Sequence, residues 1–368
     1  QARWMQRSYY QHLPLQPLAP AAIRQLLRDE LGDDPSVAAL PEMIHARTKG
    51  NPFFIEEVVQ TLIESGHLSG TRSTYRLTTP IDALQVPATV QAVLAARIDR
   101  LEDREKQVLQ TAAVIGKTFG EALLRRVLGS VVTIDETALG HAISTLIASE
   151  FLFEAALYPD VEYSFKHPLT QEVAARSQLR ERRTRVHAVV AQALEETGGN
   201  LEERAAEIAQ HWAEAGDTGR AARWHQRAAG WASLSDWREG LRHWRRVREF
   251  APGVQDERER TELMLQACHE ILALGWRMGG SEVEAATVFA EGRSLNESLG
   301  DRAATALLVG RYGLMRMSVA GSGSDYVRYG EEAALLAEGC GDPVLRAAVG
   351  TFPAFGHVFG GDGREMLR

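Results

Sequence analysis

The sequence predicts a mainly α protein, and three observations carry that prediction. Apolar residues recur at three- and four-residue spacing along most of the 368 residues, as the buried face of an amphipathic helix requires. Midway, helical periodicity gives way to two short strand-like runs, FLFEAALY and VEYSFKH, hinged at Pro159-Asp160. Beyond residue 200, turn signals followed by amphipathic runs return repeatedly, the mark of stacked helical hairpins. The expected order is a helical N-terminal part, a winged helix of three helices and a β-hairpin, and a tetratricopeptide-like α-superhelix.

Within GNPFFIEEVVQTLIESGHL, Asn51 suits an N-cap and Pro52 the first helical position, while Phe54, Ile55, Val58, Val59, Leu62 and Ile63 form the buried stripe. That helix ends near Gly66. HLSGTRSTYRLTTPIDALQ is rich in turn formers and suggests a short hairpin. VPATVQAVLAARIDRL starts a second helix with Pro87 at its head and Val90, Val93, Leu94, Ile98 and Leu101 on one face. Three further helices, EDREKQVLQTAAVIG, GEALLRRVLG and TIDETALGHAISTLIASE, lead into the hairpin. Thr133 and Glu136 have capping-box spacing for the last of them.

After residue 168 the chain reads as helical to its end. ESLGDRAATALLVG and EGCGDPVLRAAVG are alike, with Gly300-Asp301 and Gly341-Asp342 separated by 41 residues, longer than the ~34 of a tetratricopeptide unit. The final GGDGREMLR falls where another hairpin should start, so the array is expected to be truncated there. Trp212, Trp224, Trp231, Trp237 and Trp244 suit hairpin packing better than a ligand cage.

Composition narrows the function classes. Hydrophobic residues make up 45% and charged residues 24%, as in a soluble globular protein. No apolar run approaches a membrane span. The two cysteines, Cys268 and Cys340, lie far apart without metal or redox spacing, which suits a cytoplasmic location. The net charge of −8 offers little attraction to a nucleic-acid polyanion. Between Val127 and Phe165 there is no Lys or Arg, so the winged helix lacks the cations that neutralise phosphates and read guanine. It is expected to pack against protein, not DNA. Arg176, Arg180, Arg182, Arg183 and Arg185 are interrupted by Glu172 and Glu181, which fits a solvated or interdomain face.

One motif invites an ATPase reading. AAVIGKTFG contains Gly116-Lys117-Thr118, the tail of a P-loop, and VVTIDE resembles a magnesium-binding strand. However, the P-loop's first glycine is Thr111 here, and that glycine opens the turn whose amides wrap the phosphates. Val108, Leu109, Ala112, Ala113 and Ile115 instead form a helical stripe that Gly116 should end. No metal-ligand grouping and no nucleophile with an evident base appears elsewhere. Catalytic and metal residues are therefore expected to be absent.

The runs ARTKGNPFFIEEVVQTLIESGHL, VPATVQAVLAARIDRL, VLQTAAVIGKTF and YSFKHPLTQEVAARSQLRERRTRVHAVVAQALE occur in an informative order. This order resembles the post-catalytic half of a signal transduction ATPase with numerous domains (STAND). The nearest flavour is the kind fused to class III adenylate or guanylate cyclases; the ATP-dependent LuxR-type activators are a related alternative. A helical-repeat scaffold without nucleotide function is a third reading. The resemblance spans residues 1–200, and helical repeats are what such proteins carry next. It implies residues 1–84 as the end of a nucleotide-binding core and its helical lid, with HLPLQPLAP as the core's last strand and the lid at 20–66. Residues 85–200 would be the winged helix and a connecting helix, and 201–368 the repeats.

The family's P-loop, magnesium aspartate and first sensor precede this region. ATP or ADP with magnesium is therefore expected in a longer protein and not tightly bound to this stretch. Implied partners are the nucleotide-binding core, an output domain, and a protein or small-molecule ligand on the repeats. Gly50-Asn51-Pro52 resembles the glycine-x-proline motif with which such lids touch nucleotide; read alone, Asn51-Pro52 is also a plain helix cap. Glu56 and Glu57, in the first turn, would repel phosphate and favour base or ribose contact. His167 occupies the place of the histidine in the family's Met-His-Asp motif, which contacts the β-phosphate of ADP. Lys166 and Pro168 replace its Met and Asp, and a structural histidine is the other reading.

Overall fold

The computed structural model describes residues 14–84, 86–132 and 134–360. They are mainly helical and form two compact units, Gln1–Arg180 and Glu181–Arg368.

The first unit opens with α1 (Pro20–Leu31), α2 (Leu40–Thr48) and α3 (Pro52–Glu64). Ile23, Leu27, Leu31, Ile44, Ile55, Val58 and Leu62 are their shared core. The strand expected over HLPLQPLAP does not form in its described part: residues 14–19 carry no regular structure, and Pro14 and Pro17 have no N–H to give a ladder. A two-stranded hairpin, β1 (Leu68–Ser69) with β2 (Arg76–Leu77), follows. Next comes α4 (Val90–Arg100), whose start differs from expectation. Thr89 caps it by accepting from Ala92 N at 3.2 Å, so Pro87 lies outside the helix.

The chain continues through α5 (Asp103–Ile115), β3 (Thr118–Gly120), α6 (Glu121–Val131), α7 (Glu136–Ala148), β4 (Leu152–Ala156), β5 (Glu162–Phe165) and α8 (Pro168–Arg176). α5 packs against α6, α7 and α8. The antiparallel sheet has the order β3-β5-β4, with Thr118 opposite Ser164 and Leu152 opposite Phe165. α5 does end at Gly116, with φ 161 and ψ −178; that is extended backbone, not a left-handed cap. Lys117-Thr118 then enters a strand, where a P-loop would open a helix. Asp135 caps α7 by accepting from Ala138 N at 2.8 Å. The capping role expected of Thr133 lies outside the described residues.

The second unit runs through α9 (Arg180–Glu196), α10 (Leu201–Glu214), α11 (Thr218–Ala232), α12 (Trp237–Phe250) and α13 (Glu257–Met278). It ends with α14 (Glu282–Leu299), α15 (Arg302–Ala320), α16 (Gly323–Glu338) and α17 (Pro343–Gly360). From α10 onward each helix packs on its sequence neighbour. The Gly-Asp steps have a common job: Gly216, Gly300 and Gly341 take φ of 78, 67 and 70. The following Asp217, Asp301 and Asp342 accept from Arg220 N, Ala304 N and Val344 N at 2.9, 2.9 and 2.8 Å. Each step thus closes one helix and starts the next. Of the tryptophans, Trp212 and Trp224 both donate to Glu195 Oε1 at 2.6 Å, and Trp244 is buried, as hairpin packing requires. Trp231 and Trp237 remain partly exposed.

Two histidine pairs had no sequence signal. His187 Nδ1 meets His211 Nδ1, and His225 Nδ1 meets His243 Nδ1, each at 2.9 Å. One ring of each pair must donate and the other accept, so neither pair tolerates a second proton there. His225 Nε2 is buried without a partner among the described groups. Its proton is therefore best placed on Nδ1, which makes His243 the acceptor and lets His243 Nε2–H point at Glu239 Oε1, 3.2 Å away. Burial, aided by Arg183, holds His187 at about 4, and burial with the charges of His243, Arg246 and Arg242 holds His225 at about 3. Burial, with Arg311, also holds His269 at about 4.

All three folded values lie below the ordinary 6.5, so the native state prefers neutral rings while the unfolded chain takes up protons. Their stabilisation is complete above the unfolded pKa and is lost as pH falls toward the folded values. Urea midpoints measured by circular dichroism should be level from about pH 8 to about pH 7 and drop between about pH 6.5 and about pH 5, above most carboxylate titrations. A flat profile through that window would show that the rings keep their ordinary pKa.

Candidate functional site

The two sequence-predicted segments meet in the first unit. The ring of Phe53, in the first turn of α3, stacks on His167 with centroids 3.9 Å apart and planes inclined by 14°. This brings the Gly50-Asn51-Pro52 turn beside the strand-helix junction between β5 and α8.

Gly50 has φ +82, a conformation open to glycine at little cost. Its missing side chain lets the chain come close, but the neighbour is protein: a Cβ would stand 2.4 Å from Leu18 O. Leu18 N donates to Gly50 O at 2.8 Å. Asn51 is exposed and caps α3 by accepting from Phe54 N at 3.1 Å. Pro52 follows at the first helical position, where its missing N–H removes no bond.

His167 caps α8 in a similar way. Its Nδ1 accepts from Leu169 N at 3.1 Å, and its carbonyl accepts from Thr170 N at 3.0 Å. Pro168 therefore fits as the first residue of α8, where no N–H is needed. An Nδ1 that accepts leaves the ring proton on Nε2. Burial, then the charge of Lys117, lowers the pKa, so the ring is neutral at pH 7. His167 thus offers one uncharged N–H donor to a ligand.

What holds this arrangement was not foreseen. Arg97 of α4, 2% exposed, donates to Glu57 Oε2 at 2.5 Å and to Glu64 Oε1 and Oε2 at 2.5 and 2.9 Å, both from α3. It also donates to Ser149 O at 2.7 Å and lies 4.6 Å from the centre of the Phe151 ring. Burial opposes its charge, but Glu64 and Glu57 more than offset this and keep it protonated. Lys166 adds a more exposed tie between Glu150 and Glu56 of α3, and Lys166 N donates to Phe151 O at 3.1 Å. Of the two glutamates expected to face a ligand, Glu57 is turned inward and only Glu56 is exposed. The available signal was Arg97 itself, lying three residues after Leu94 in the apolar stripe of α4.

Comparison with known proteins adds little. No family model matches the chain. An uncharacterized protein of Rhizobium meliloti (strain 1021) is 27% identical over 189 residues, covering 50% of this chain. The chain spans 17% of that relative's length. Among solved structures, a STAND protein with a tetratricopeptide repeat sensor from Pyrococcus horikoshii aligns over 93% of this chain and 57% of its own. The TM-score is 0.32 and the identity 11%, values that do not fix a shared fold.

Arg97→Met removes the paired cation and leaves buried Glu57 with only the more distant charge of Lys166. Loss of one partner from a buried pair costs about 3 to 5 kcal/mol, to be read as a lower urea midpoint. The double variant Arg97→Met/Glu57→Leu should recover most of it, because an apolar pair of similar volume has no charge to desolvate. An unchanged midpoint in Arg97→Met would remove the cluster from its structural role.

Proposed function

We propose that this chain is a regulatory portion of a STAND-type signalling ATPase, in which residues 20–66 are the lid, residues 85–200 are a winged helix and a connecting helix, and residues 201–368 are a tetratricopeptide-like sensor arm. The observation that carries the reading is the Phe53–His167 stack, which gathers the lid turn and the strand-helix junction on one surface. Element order supports the winged helix: three helices interleaved with a three-stranded sheet of order β3-β5-β4. ATP or ADP, with magnesium, would be held by a nucleotide-binding core of a longer cytoplasmic protein. The residues here fit the edge of such a site. His167 Nε2–H suits a phosphate oxygen, while exposed Glu56 keeps phosphate off the α3 terminus and leaves the Gly50–Pro52 turn for base or ribose.

In this reading, exchange of ADP for ATP moves the lid and winged helix relative to the core, and a ligand on the repeats biases that equilibrium. The most favoured output is an adenylate or guanylate cyclase; a LuxR-type transcription activator is the alternative. His167→Ala in the complete protein removes a donor made only to ADP. A lost hydrogen bond to a charged group is worth roughly 1.5 to 3 kcal/mol, enough to speed ADP release and raise basal output while leaving ATP affinity nearly unchanged. Unaltered ADP release from a folded variant would leave His167 as a helix cap alone.

The winged helix is a protein-packing module in this reading. α7, the third helix of the proposed winged helix, contains no Lys or Arg, so it offers no phosphate neutralisation. Gel-shift assays of the chain with duplex DNA at low salt should show no complex. A salt-sensitive complex lost on charge reversal beside Ile143 would overturn this.

A further inference from the structure

His167 supplies a neutral donor, yet a terminal phosphoryl group is an anion that is held best by a charge-assisted contact. The surrounding cations differ in how far they are already engaged. Arg97 is enclosed by Glu57, Glu64 and Ser149 O. Lys166 is paired with Glu150 and lies 3.8 Å from Glu56. Lys117 is exposed, and among the described residues no carboxylate forms an ion pair with it.

The sheet positions Lys117 for this role. Its carbonyl accepts from Phe165 N at 2.9 Å and from Ser164 Oγ at 3.2 Å. The register that pairs Thr118 with Ser164 sets Lys117 opposite Phe165. Lys117 thus lies across the ladder from the last residue of β5, two positions before His167 in the chain. The ammonium is close enough to depress the ionisation of His167, which gives the geometry electrostatic support.

We propose that Lys117 is the cationic contact for the terminal phosphoryl group of a nucleoside diphosphate, acting beside the Nε2–H of His167. This rests on the nucleotide-sensing reading of His167. The lysine of the Gly-Lys-Thr triplet would then serve an anion through strand pairing, without any P-loop.

The test follows the side-chain nitrogens of His167 by NMR in the 15N-labelled chain at neutral pH. Inorganic pyrophosphate, ADP, adenosine and sulfate are added separately at matched ionic strength. Pyrophosphate and ADP should shift the ring resonances saturably, while adenosine and sulfate leave them in place. Lys117→Gln should weaken the pyrophosphate effect roughly tenfold, about the loss of one charge-assisted contact, and Lys117→Arg should retain it. The ring pKa of His167 should rise in Lys117→Gln, a check on proximity that needs no ligand. If neither pyrophosphate nor ADP moves His167 in the unaltered chain, this inference fails, while nucleotide sensing at His167 is decided separately by ADP release from the complete protein. Equal pyrophosphate midpoints in the unaltered chain and Lys117→Gln would overturn the role of Lys117 alone. An equal response to sulfate would reduce the contact to an adventitious anion.

Discussion

The buried guanidinium of Arg97 is the constraint on which the first unit depends. Taking this charge out of water is unfavourable unless its donors are satisfied by well-placed oxygens, and the oxygens come from three directions. Glu57 and Glu64 lie two turns apart on α3, Ser149 O sits at the end of α7, and Phe151 offers its ring face just before β4. An apolar contact between these elements would tolerate sliding by a fraction of a turn. A guanidinium committed to two carboxylates and a carbonyl tolerates much less, because each displaced donor leaves a buried charge uncompensated. α3 is thereby fixed in register against residues 149–151, and its first turn delivers Phe53 to His167.

The candidate site is consequently a seam between two helix starts. Asn51 caps α3 and His167 caps α8, and the ring stack joins the capping residue of one to the first turn of the other. A ligand that drew on His167 Nε2 would act on a ring whose Nδ1 already holds the α8 amide. Any displacement of the ring would disturb that cap and the contact with α3 together. This gives the proposed switch a physical element that a nucleotide can bias, as coupling between sites requires.

The second unit uses polar contacts in the same manner, at more dispersed positions. Glu195 of α9 gathers the indole N–H groups of Trp212 and Trp224, from α10 and α11. The histidine pairs join α9 to α10 and α11 to α12. Each is a short-range tie between neighbouring helices, in keeping with an array in which stability is close to a sum of neighbour terms. The uncharged state of the rings also makes this unit more sensitive to mild acid than its surface ion pairs alone would.

Helix identity was a local matter and the sequence determined most of it. The stripe of α3, the Asn51-Pro52 start, the ending at Gly116 and the Gly-Asp steps all depend on residues within a turn or two of one another. Their spacing carries the information because an amphipathic face and a cap are made by near neighbours. The errors were local competitions of the same kind: Thr89 took the start of α4 from Pro87, and the prolines in residues 14–19 denied a strand its donors. Gly50, Asn51, Pro52 and His167 were candidates by motif resemblance alone, and nothing in the sequence indicated their juxtaposition. Only the tertiary structure decided that Phe53 lies on His167, that Glu57 turns inward to Arg97, that Lys117 faces the strand leading to His167, and that four histidines pair in twos. Each of those contacts joins residues in different elements of the chain, and no periodicity within a segment records the partner that burial and strand register will bring to it.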